Sequence, residues 1–266
     1  MCADDDFLIL DGVDECLGFL QANPKYSVAD GSVLFYKKED IISGRFTFNL
    51  VYKTNLNISF DAEDTFDRLS DFFKDYRTVF YGVHYTKNLI DAYGMCRHSF
   101  NNLFLNEYLS AFIPVSAGYC KIIPKLIMVR EFTNESGDKT TPTLERMLSD
   151  VNGIEELDQY SFCVAKAILP YTNVTLPESV VNIKKILKGY GAKIIIDKST
   201  ETARSKSITK RIGKIILKMP FIGSAIIQQR RLQLSKKETA EVIKTNADLG
   251  NLKLIRKQIR DFQLIC

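Results

Sequence analysis

The sequence predicts a mixed α/β domain followed by a mainly α-helical, basic region. Three observations point there. Segments with strand-like and helix-like apolar spacing alternate through residue 142. From Thr143 onward the spacing is helical. The charge also changes sign along the chain. Residues 1–183 carry 16 Lys and Arg against 26 Asp and Glu, a balance of −10, and residues 184–266 carry 20 against 6, a balance of +14, which together give the net +4. A split of this kind implies different partners for the two parts.

The elements follow in order. Asp11 reads as an N-cap, because Val13, Cys16, Leu17 and Leu20 then repeat at i, i+3, i+4 and i+7, with Asp14 and Glu15 favourably placed in the first turn. Asn23-Pro24 ends that helix. Residues 43–52 alternate polar and apolar, as a half-buried strand does. An amphipathic helix is expected over 61–76, with Phe66, Leu69, Phe72 and Phe73 inward. Residues 78–84 read as a strand, and its His84 as a satisfied core residue. Helices are expected over 87–97 and 102–115, and a strand over 121–129 despite Pro124. The polar segment 133–142, with Ser136-Gly137-Asp138, reads as a surface loop. Helices follow over 144–151, 154–169 and 179–190. A soft boundary near Pro142 separates residues 1–142 from residues 143–266.

Composition narrows the classes. With 266 residues, 45% hydrophobic content, 17 Phe and 12 Tyr, the chain has ample material for a core and is not of the disordered class. Six cysteines without a CxxC pair read as thiols in a reducing compartment, and two histidines are too few for a zinc site. The acidic start is unlike a signal peptide, and no apolar run is long enough to cross a bilayer. The expected location is cytoplasmic.

Two stretches carry potential chemistry. Asp4-Asp5-Asp6 precedes the apolar Phe7-Leu8-Ile9. Three adjacent carboxylates repel one another, and a divalent cation relieves that repulsion. A solvated acidic N-terminus is the plain alternative. The second stretch, 204–223, interleaves cations with apolar residues. Lys210, Lys214 and Lys218 fall at i, i+4 and i+8, with Ile208, Ile212, Ile215 and Ile216 on another face. That suits an anionic membrane surface, with a solvated basic face or packing on the acidic part as alternatives. Nucleic-acid binding ranks lowest, since the region lacks a reader motif or an aromatic stacking platform.

The ordered set Ala3-Asp4-Asp5-Asp6-Phe7, the helix ending Phe19-Leu20-Gln21-Ala22-Asn23-Pro24-Lys25-Tyr26, Ala29-Asp30-Gly31, Asn106-Glu107-Tyr108, Gly118-Tyr119-Cys120-Lys121 and Val129-Arg130-Glu131-Phe132 resembles the central part of a bacterial, family 2-like glycosyltransferase family of GT-A fold. The resemblance covers residues 3–132 well and the remainder loosely. It implies an aspartate motif, a helix and a short strand ending near a glycine. It also implies that Mg²⁺ or Mn²⁺ bridges the diphosphate of a nucleotide-sugar donor, with Asp6 and Asp4 as ligands. Asp4, Asp5 and Asp6 together would form the donor site, Asp4 facing the ribose or the metal's water shell. Glu107 is the candidate general base, with an ordinary helix glutamate as the alternative. The acceptor would be a glycan or lipid-linked, as in cell-surface polysaccharide synthesis, with the protein peripheral on the cytoplasmic face of the inner membrane. In the family, a nucleotide-binding βαβ region precedes the aspartate motif. The chain therefore reads as the distal part of such an enzyme, and alone it is expected to bind nucleotide-sugar weakly. A catalytically inactive remnant acting as a membrane-associated scaffold or partner subunit is the competing reading.

Overall fold

The structure, a computed structural model, describes residues 6–40, 45–50, 57–100, 102–131 and 141–216. Asp4, Asp5, most of the loop expected over 133–142 and residues 217–223 of the basic stretch lie outside them.

The architecture is mixed α/β, with a small mixed sheet and several helices. Its centre is a pair of long parallel strands, β2 (Tyr26–Asp40) and β6 (Tyr119–Glu131), aligned from Tyr26↔Tyr119 to Tyr36↔Glu131. Each has two short antiparallel strands along its outer edge. On β6 these are β1 (Phe7–Leu8) and β4 (Ile58–Phe60); on β2 they are β3 (Arg45–Leu50) and β5 (Val83–His84).

The two faces of the sheet feed separate cores. One is covered by α1 (Leu10–Ala22), whose Cys16 and Leu20 pack with Ala29, Val33, Ile123, Ile127 and Met128. The helix begins two residues earlier than expected. Ile9, not Asp11, is its N-cap; Asp11 lies in the first turn, and Leu17 is exposed while Gly12 is buried. Gly12 is buried because α1 lies directly on β6, where a Cβ would collide with the carbonyl oxygen of Leu126. Gly12→Val is expected to lower stability by about 2 kcal/mol through that overpacking, measured as a fall in Tm against wild type. An unchanged Tm would show that α1 can lift off the sheet.

The other face carries α2 (Thr65–Lys74), α3 (Thr86–Ser99), α4 (Leu103–Ala117), α5 (Leu144–Met147), α6 (Val151–Ile168) and α7 (Leu176–Ile216). One apolar cluster joins Val28, Cys120 and Ile122 of the sheet to Phe72 and Phe73 of α2, Leu109 and Phe112 of α4, Tyr160 of α6 and Ile183 of α7. Residues on both sides of Pro142 thus share one core. Side-chain caps set several helix starts. Asp64 Oδ1 accepts from Phe66 N (2.8 Å) and Asp67 N (2.9 Å), Asn102 Oδ1 from Phe104 N (3.0 Å) and Leu105 N (3.2 Å), and Asp150 Oδ2 from Gly153 N (3.0 Å).

Three sequence expectations change here. Residues 78–84 form a 3₁₀ turn (Val79–Tyr81) and only a two-residue strand, because the chain bends at Gly82 to lie against Ala29 and Asp30. The strand expected to stop near Gly31 runs straight through it. The helix expected over 179–190 is a 41-residue helix that includes residues 204–216 of the basic stretch. Pro124 is accommodated because the β2–β6 register shifts between Asp30↔Ile122 and Ser32↔Leu126, so its missing N–H is not needed by the ladder. No helix among the described residues is long and apolar enough to cross a membrane.

Candidate functional site

Asp6, the described member of the acidic triplet, sits at the carboxyl end of the parallel pair. β1 pairs antiparallel with β6 through Phe7↔Val129, which sets Asp6 opposite Arg130. Arg130 Nε donates to Asp6 Oδ1 at 3.0 Å, and the Asp6 side chain is 1% exposed. The Arg130 side chain keeps 28% exposure, and its guanidinium lies over two rings, its Cζ 4.3 Å from the Tyr81 centroid and 5.8 Å from that of Phe35. The ends of parallel strands are where open α/β sheets bind ligands.

Glu107 lies in the first half of α4. That helix runs back along the sheet, since its last turn reaches the start of β2: Ser27 Oγ donates to Pro114 O at 2.5 Å. The amino-terminal half of α4, around Glu107, packs in the multi-helix core, whereas Tyr81, which stacks on the Arg130 that holds Asp6, packs with the core under α1 on the other face of the sheet. Glu107 is half-buried, and its Oε1 accepts from Tyr76 Oη (2.8 Å) and Thr78 Oγ1 (2.9 Å). Burial and the neighbouring Glu107 hold the Tyr76 phenol well above its ordinary value, so it remains a donor. Glu107 is thus not a freely moving surface glutamate; two hydroxyls fix its orientation.

A third carboxyl was not anticipated. Asp30, in the first half of β2, is 4% exposed, and its Oδ1 accepts no hydrogen bond among the described residues. Burial pushes its pKa up to about 7, opposed by the Gly31 N–H and the buried Arg77. Its charge and burial also raise two thiols, Cys16 to about 12 and Cys120 far above its ordinary value, in both cases mainly through burial. Neighbouring His84, aligned with Val28, is lowered to about 4 by burial, and its Nε2 lies 2.6 Å from Val79 O.

The short stretch 76–81 ties these groups together. Tyr76 and Thr78 bind Glu107, Arg77 faces Asp30, and Tyr81 stacks on the Arg130 that holds Asp6. The structure therefore links Asp6 and Glu107 to one segment of chain. Sequence reasoning gave no role to Arg130, Tyr81 or Arg77; of the three only Arg130, beside Glu131, falls in a quoted motif.

Among the described residues no group of three or more His, Cys, Asp or Glu is placed to hold a metal ion. Asp6 as it stands is an ion pair with arginine, and a metal at the triplet depends on Asp4 and Asp5 as well. Glu107 is not among the groups bound to Asp6. No model of a known protein family, no curated protein and no solved structure matches this chain.

Proposed function

We propose that the chain is part of a GT-A-type glycosyltransferase that moves a sugar from a nucleotide-sugar to a glycan or lipid-linked acceptor. The observation that carries this reading is the position of Asp6, buried and arginine-paired at the carboxyl ends of β2 and β6. An acidic motif at that end of a parallel pair is where a donor's diphosphate would be received.

In this reading the acceptor hydroxyl attacks the anomeric carbon while Glu107 takes its proton. The bond from that carbon to the diphosphate oxygen breaks, and configuration inverts. The hydroxyls of Tyr76 and Thr78 hold Glu107 in one orientation, which keeps the proton acceptor aligned. Mg²⁺ or Mn²⁺ bound at Asp4 and Asp6 would neutralise charge on the departing diphosphate. Arg130 offsets one carboxylate of the triplet, and its exposed face adds positive charge at the same end of the sheet.

The test is nucleoside diphosphate release from a panel of nucleotide-sugars by the full-length protein. Glu107→Gln is expected to cut turnover by about 10²–10⁴ with donor KM little changed. Asp6→Asn is expected to raise the divalent-metal concentration needed for half-maximal rate at least about tenfold. Wild-type rates in both variants would overturn the reading and favour an inactive remnant serving as a membrane-associated scaffold or partner subunit, with the basic stretch that α7 enters as its contact surface.

A further inference from the structure

A second candidate site is a cleft of about 340 Å³ between α2 and α7, two of whose lining residues, Phe73 and Tyr190, are in ring contact with the Tyr76 that donates to Glu107. Its floor is apolar, made by Phe66, Phe73, Ile186 and Tyr190. Its rim carries three ammonium groups, Lys74, Lys185 and Lys193, against one carboxylate, Asp67. Gly189 opens onto the hollow: a Cβ there meets nothing within 4 Å. The lysines are differently engaged. Lys74 pairs with Asp71 at 2.7 Å, and Lys193 donates to the carbonyl of Lys74 at the end of α2. Lys185 is exposed and makes no ion pair among the described residues. A small cleft with an apolar floor and a few convergent polar groups is the ordinary form of a ligand site, and the balance of charge selects an anion.

We propose that the α2–α7 cleft binds an amphipathic phosphate monoester, its apolar body over Phe66, Phe73 and Ile186 and its phosphate at the lysine rim. The ligand's two parts match the two parts of the cleft. A free phosphate lacks the body, and a neutral amphiphile lacks the charge. This inference does not depend on the sugar-transfer reading, since no group at the Asp6 end of the sheet lines the cleft.

The test is calorimetric titration of the full chain with octyl phosphate below its micellisation concentration, beside inorganic phosphate and octyl glucoside. Saturable one-to-one binding of octyl phosphate is expected, with inorganic phosphate and octyl glucoside each at least about tenfold weaker. Gly189→Leu fills the hollow and improves helix propensity, so it is expected to keep or raise Tm while weakening octyl phosphate at least about tenfold. Lys185→Glu, on an exposed position, is expected to weaken it about fivefold. Four results would overturn the proposal: absence of saturable binding, inorganic phosphate binding as tightly as octyl phosphate, octyl glucoside binding as tightly, or both variants binding like wild type.

Discussion

Replacing Arg68 by methionine is expected to lower stability by about 3–5 kcal/mol, a large part of what holds a domain folded. Arg68 is on α2 and only 4% exposed. It closes the carboxyl end of α4: Nε donates to Val115 O at 2.8 Å and Nη2 to Ser116 O at 3.0 Å. Nη1 binds Ala62 O (2.5 Å) and Glu63 O (3.2 Å), and Nη2 also reaches Thr65 Oγ1 at 3.3 Å. The last carbonyls of a helix have no partner within it, and its carboxyl end favours a cation. Methionine keeps the volume but leaves those carbonyls buried without donors. Lysine restores the charge without the fork, so Arg68→Lys should recover only part of the loss. Urea unfolding of both variants checks this. A methionine variant within 1 kcal/mol of wild type (about one sixth of a typical domain's stability) would show that the α4 terminus is satisfied in another way.

The second large effect is a pH dependence set by Asp30. With the folded pKa raised from 3.8 to about 7, the folded protein keeps a proton between those values that the unfolded chain has lost. Its contribution to stability is therefore full below about pH 4, falls as pH rises toward 7, and is gone above that. The total is on the order of 4 kcal/mol. His84, lowered to about 4, works in the opposite direction between about pH 4 and 6.5, so a bare profile mixes the two. Asp30→Asn separates them, because His84 is common to both proteins. The variant's stability relative to wild type is expected to increase from pH 4 to pH 8 by several kcal/mol, with most of the change complete by pH 7. A constant difference across that range would mean that Asp30 is ionised in the folded protein throughout.

What the sequence revealed depended on how local the cause was. The periodicity of α2 was legible because Leu69, Phe72 and Phe73 bury together on one face and Asp64 caps the start from two residues away. α4 was legible for the same reason, its cap Asn102 lying beside it. β2 was not, because its first half holds Ala29-Asp30-Gly31: a buried acid and a glycine pressed against Lys125 O and Ile127 look like a turn until β6 is present. The bend at Gly82, the start of α1 on β6 and the burial of Arg68 have the same origin, contacts made with chain far away in sequence. At the site, Asp6 and Glu107 stood out as residue types. The partners that give them orientation did not. Arg130 lies 124 residues from Asp6, and Tyr76 and Thr78 lie 31 and 29 residues from Glu107. Arginine and tyrosine at those positions carry no local pattern that announces pairing.

The proposed sugar transfer requires Asp6, at the carboxyl ends of β2 and β6, to take up a divalent ion together with Asp4. Electron paramagnetic resonance of Mn²⁺ titrated into the full chain reads this directly, because bound Mn²⁺ leaves the free-ion signal. One saturable site per chain is expected, weakened at least about tenfold by Asp6→Asn and unchanged by Glu107→Gln. A free-ion signal that tracks added Mn²⁺ without saturation, or an Asp6→Asn variant that binds like wild type, would contradict it.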